Sequence, residues 1–94
     1  MVNDILGKVV KAKAGRDKER FFVVMATEGS EFVYMADGCT RKVAKPKKKK
    51  LMHLAFTGKG IDLNLVPKNN TADAFIRKAL DELGCNNKTV SEEG

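Results

Sequence analysis

Seven of the ten residues in Arg41-Lys42-Val43-Ala44-Lys45-Pro46-Lys47-Lys48-Lys49-Lys50 are cationic, and none is acidic. The chemistry offered by such a run is electrostatic. Lysine ammonium groups are mobile point charges that neutralise phosphates and release the counterions condensed on a polyanion, but they read base edges poorly. The run lies inside the chain, between the apolar segments Phe32–Met35 and Leu51–Phe56, so a folded frame has to display it. A second basic group, Arg16, Lys18 and Arg20, precedes the apolar segment Phe21–Ala26. Arg16 carries a planar guanidinium suited to two-pronged contact with phosphate or guanine, while Asp17 and Glu19 temper the charge beside it. Lys8, Lys11 and Lys13 form a third group, read as the wet side of a half-buried strand and a secondary part of the same footprint.

Other chemistries find little support. His53 is the chain's single histidine, and no Ser, Cys or carboxylate is placed by motif to use it. It is therefore expected to contact phosphate or serve the fold rather than to catalyse. Cys39 and Cys85 lie 46 positions apart, without the close paired ligands of a metal site. Cys39 is expected as a small half-buried filler and Cys85 as inert. Neither G-x-x-x-x-G-K-[ST] nor G-x-G-x-x-G occurs, and Gly15 and Gly38 are accounted for by backbone geometry. The expectation is an absence of catalytic residues, cofactors, metals and small-molecule substrates.

The elements that must position these cations are short. Lys8–Ala14 alternates as a strand, with Lys11 and Lys13 on one face and Val10 and Ala12 on the other. Gly15-Arg16-Asp17-Lys18 turns the chain. Phe21–Ala26 is rich in β-branched and aromatic residues and apolar on both faces, which predicts a central strand. Phe32–Ala36 returns as a third strand. Asp37-Gly38 is a tight hairpin signal that makes Cys39–Val43 the predicted fourth strand. Pro46 then interrupts pairing, and the lysine run reads as a loop or a sheet edge. His53–Phe56 closes the sheet. Five short strands at this spacing predict a small, mainly β barrel over residues 1–56. Residues 57–70 read as a linker carrying Ile61, Leu63, Leu65 and Val66, which either pack on the barrel or move free of it. Residues 71–84 read as a C-terminal helix, capped by Thr71, striped by Phe75, Ile76, Ala79, Leu80 and Leu83, and stopped by Gly84. Residues 85–94 read as a frayed tail.

Bulk charge agrees with the local pattern. The chain of 94 residues carries a net +6, yet residues 1–56 hold 13 basic and 6 acidic side chains while residues 57–94 hold 5 and 6. Such asymmetry points to a nucleic acid or an anionic surface. A membrane partner is not expected. No apolar run approaches the roughly 20 residues of a spanning helix, and no amphipathic helix with large apolar anchors flanks the lysines. The segment Met1-Val2-Asn3-Asp4 does not open a signal peptide, so a cytoplasmic location with reduced thiols is expected. Six aromatic side chains and no Trp leave most rings needed for the core, with Tyr34 the ring whose hydroxyl permits an exposed edge.

The first thirty residues resemble a KOW motif: an alternating strand, a glycine at about the eleventh position (Gly15, counting from Ile5) and a second apolar strand at Phe21–Met25. Gly7-Lys8-Val9-Val10, Ala14-Gly15-Arg16-Asp17-Lys18, Ala36-Asp37-Gly38-Cys39-Thr40-Arg41-Lys42-Val43 and Lys50-Leu51-Met52-His53-Leu54 together are similar to the ribosomal "L fourteen e" type of KOW protein. That family belongs to the large ribosomal subunit of archaea and eukaryotes, and its short bacterial relatives are usually called KOW domain-containing RNA-binding proteins. The resemblance spans roughly residues 5–56. It implies an SH3-like barrel that contacts ribosomal RNA.

Taken together, the residues and the resemblance predict a module that binds structured RNA, with ribosomal RNA or the large ribosomal subunit as its expected partner, through Arg16, Lys18, Arg20, Arg41, Lys42, Lys45, Lys47, Lys48, Lys49, Lys50 and His53. Most of these contacts would be to phosphate, so RNA shape should matter more than sequence. The competing reading is an SH3-like protein-interaction module, because fold alone does not settle function. Transcription elongation factors also carry KOW motifs, normally beside an α/β domain for which this chain has no room.

Overall fold

A computed structural model describes residues 5–15 and 18–85. Five strands form one antiparallel sheet: β1 (Lys8–Ala12), β2 (Phe21–Glu28), β3 (Phe32–Ala36), β4 (Lys47–Lys50) and β5 (Leu54–Gly60). One helix, α1 (Ala72–Glu82), follows. The sheet order is β4-β3-β2-β1-β5, which puts the doubly apolar β2 at the centre, as its composition predicts. A 3-10 turn at Leu51–His53 carries the chain from one sheet edge to the other. That crossover curls the sheet into a small SH3-like barrel whose outer strands, β4 and β5, are not paired to one another.

Both faces of the central strands are buried, by different means. Inside the curl, Val10, Ala12, Phe22, Val24, Val33, Met35 and Leu54 make one core. On the opposite face Val9 and Val23 pack against Val66, Ala72, Ile76, Leu80 and Cys85. Ile76 and Leu80 lie one turn apart on α1, so the apolar stripe docks on the sheet of its own chain. Burying each such side chain contributes about 1.5–3 kcal/mol. Lys59 Nζ donates to the Leu83 carbonyl at 2.8 Å, which ties β5 to the carboxyl end of α1.

Four expectations need correction. Cys39–Val43 is not a strand; residues 37–46 form a loop, and the fourth strand is the lysine run itself. The sheet's fifth strand continues to Gly60, four residues past Phe56. Of the two courses open to the apolar residues of the segment after it, packing is the one observed: Ile61 and Leu63 pack on the helix-side core and Val66 is buried in it. Thr71 precedes α1, yet its hydroxyl bonds Asn69 Oδ1 at 2.6 Å instead of capping the helix. Gly84 does end the helix as expected, with φ of +74°. Cys39 is exposed rather than half-buried, and Cys85 is buried beneath α1. The predicted tail lies outside the described residues apart from Cys85.

Candidate nucleic-acid interface

The lysine run is an edge strand whose register is set by β3. Phe32 faces Lys50, Val33 faces Lys49, Tyr34 faces Lys48 and Met35 faces Lys47. Opposed residues in an antiparallel pair share a face, and successive residues alternate. The four ammonium groups are therefore divided. Lys47 and Lys49 stand on the side of Val33 and Met35, half-buried at the barrel seam. Lys48 and Lys50 stand on the outer face beside Tyr34 and Phe32, exposed. Lys49 reaches across the seam and donates to the Ala14 carbonyl at 3.2 Å, linking β4 to the β1–β2 loop.

Phe32 and Tyr34 belong to neither core. They lie half-buried in the middle of the outer face, with β2 residues Ala26 and Glu28 on one side and Lys48 and Lys50 on the other. Glu28 is the acidic member of this surface. It accepts a hydrogen bond from the Tyr34 hydroxyl and pairs with Lys48 Nζ at 2.9 Å. The Tyr34 donor, then Lys48, hold the Glu28 carboxyl below the usual glutamate range. The same hydrogen bond pushes the Tyr34 hydroxyl up. Lys48 Nζ sits 4.6 Å from the centroid of the Phe32 ring.

The rest of the predicted footprint is arranged around Asp37. This carboxylate is 2% exposed. Its Oδ1 accepts from the backbone N–H groups of Cys39 and Arg41, both at 2.8 Å. Its Oδ2 accepts from Thr40 Oγ1 at 2.9 Å and from Arg20 Nη2 at 3.3 Å. Burial alone would raise its pKa, but the donors from Arg41, Cys39, Thr40 and Arg20 outweigh it and hold the carboxyl below its usual range. Helix α1 grips the same loop. Asp73 Oδ1 accepts from Val43 N–H at 2.7 Å, and Arg77 donates to the Gly38 carbonyl. Gly38 has φ of +77°, and a Cβ there would collide with the Asp73 carbonyl, so only glycine fits.

Arg20 and Arg41 are half-buried at Asp37, where Arg20 is spent largely on the fold. Lys42 and Lys45 project from the anchored loop and are exposed, as is Lys18 at the end of the β1–β2 loop. Among the described residues no carboxylate pairs with Lys42, Lys45 or Lys50. Lys11, by contrast, is paired with Glu19 at 2.8 Å. His53 is half-buried, and its carbonyl accepts from Lys13 N–H at 2.8 Å. Arg16 lies outside the described residues. Of the described members, Lys47–Lys50 form β4, Arg41, Lys42 and Lys45 lie in the β3–β4 loop, Lys18 and Arg20 in the β1–β2 loop and His53 in the turn after β4, and not every one is free to meet a ligand.

Glu28 and Asp73 are not marked by a motif in the sequence. Glu28 does have a signal: it flanks the turn at residues 29–31, so hairpin pairing sets it opposite Phe32. Asp73 has none, because its role depends on where α1 docks. Among the described residues no group of three or more His, Cys, Asp or Glu is placed to hold a metal, and no helix is long and apolar enough to cross a membrane. No protein-family model matches the chain, and comparison with curated proteins finds no match.

Proposed function

We propose that this protein binds RNA through β4 and the flanking β1–β2 and β3–β4 loops, in the manner of the KOW proteins its sequence resembles, with ribosomal RNA as the partner. The observation that carries the reading is the lysine run held as a strand in a ladder against β3, beside a loop fixed by Asp37 and Asp73. Cations on a fixed backbone meet a polyanion with only their own side chains left to order, which keeps the entropic cost low. Lys18, Lys42, Lys45 and Lys50 provide the phosphate contacts; Arg20 and Asp37 shape the loop that presents two of them. Binding is without chemistry on the RNA.

The test is sedimentation of cell extract on a gradient, followed by recovery of the protein with and without nuclease. Migration with ribosomal particles at low salt, release at high salt and loss of recovery after nuclease are the expected results. Nuclease-resistant recovery with a single protein would instead establish the interaction-module reading.

A further inference from the structure

We propose that the outer face of β2, β3 and β4 is a stacking platform for unpaired bases, so that the RNA bound here is single-stranded where it crosses the sheet. The inference rests on the RNA-binding reading above and specifies its ligand. Three observations carry it. Phe32 and Tyr34 are adjacent outward residues of one strand, outside both cores. Each stands directly opposite a lysine of the edge strand, Phe32 opposite Lys50 and Tyr34 opposite Lys48. And among the described residues α1 packs on the sheet at Val9 and Val23, not on Phe32 or Tyr34.

That pattern is what a single strand needs. Aromatic faces accept stacked bases of any sequence, while an adjoining row of cations follows the phosphates. A duplex keeps its bases stacked inside and has no use for the rings. In the unliganded state Glu28 holds Lys48 over the Phe32 ring and holds the Tyr34 hydroxyl. The Lys48–Glu28 pair is open to water, with side chains 43% and 52% exposed, so it opens at little cost. A base then takes the ring face and Lys48 turns to a phosphate.

Tyr34 is the chain's single tyrosine and there is no Trp, so intrinsic fluorescence reports this face without a label. The experiment titrates the protein with short oligouridine and with a blunt RNA duplex of equal phosphate count. The platform predicts saturable quenching of Tyr34 by oligouridine and little by duplex. It also predicts that the double variant Phe32→Leu, Tyr34→Leu, checked for a native circular dichroism spectrum, loses about tenfold in oligouridine affinity while duplex affinity and its salt dependence persist. If both RNAs bind with ordinary salt dependence but Tyr34 emission is unchanged, or the double variant binds oligouridine as wild type does, the platform is wrong and the electrostatic reading survives. If neither RNA binds, both readings fall.

Discussion

At the scale of single residues, Asp37 is the side chain on which the basic loop depends. Its two oxygens accept from Thr40 Oγ1, Arg20 Nη2 and the backbone N–H groups of Cys39 and Arg41. Asp37→Ala would strand those donors at a cost of about 2–3 kcal/mol, lowering the midpoint of thermal unfolding by about 10–20 °C at neutral pH. The pH dependence follows from the direction of the shift. Because the folded-state pKa is depressed, the stabilisation is fully present above the unfolded value of about 3.9 and fades as pH falls through the folded one. The stability gap between wild type and variant should therefore be constant near neutrality and narrow below about pH 4. A gap that is unchanged in acid would mean the carboxylate charge contributes nothing. Glu28 acts at the same scale: among the described residues this one carboxylate pairs with Lys48 and none pairs with Lys50.

At the scale of elements, β4 is both a sheet edge and a display device. Its alternation makes the four lysines unequal, which leads to a paired experiment. Lys48→Gln with Lys50→Gln should leave the unfolding midpoint in place and lower RNA affinity several-fold. Lys47→Gln with Lys49→Gln should have the smaller effect on RNA and the larger one on stability, since Lys49 bridges the seam to Ala14. Equal effects from the two pairs, measured by the same binding and melting assays, would mean that the run acts as a loop without faces. The lysines also discourage another strand from adding to this edge.

The strand count, the central place of Phe21–Ala26 and the stripe on α1 were all visible, because apolar periodicity is a property of the local chain. The fourth strand was not. Four identical residues have no period, and lysine has low strand propensity, so only pairing with Phe32–Met35 makes Lys47–Lys50 a strand. Asp37-Gly38 was legible as a turn, but its width was not. The Asp37 carboxylate captures N–H groups up to Arg41 and so opens a long loop where a two-residue hairpin was expected. The aromatic assignment also needed the fold. Phe22 fills the barrel core, whereas Phe32 and Tyr34 lie outside both cores, and composition cannot make that division.

At the scale of the whole molecule, the chain divides one face of the sheet by charge. Helix α1 and the segment before it, drawn from the nearly neutral half, cover the outer face at Val9 and Val23; the basic half supplies the β3–β4 part of that face and the loops beside it. The account's central claim is that several cations on this frame act together on phosphates. Its most direct test is the affinity for RNA measured by filter binding across a range of monovalent salt. With about five phosphates neutralised, the logarithm of affinity should fall against the logarithm of salt with a slope of roughly −3.5 to −4.5. A slope near zero would contradict the account.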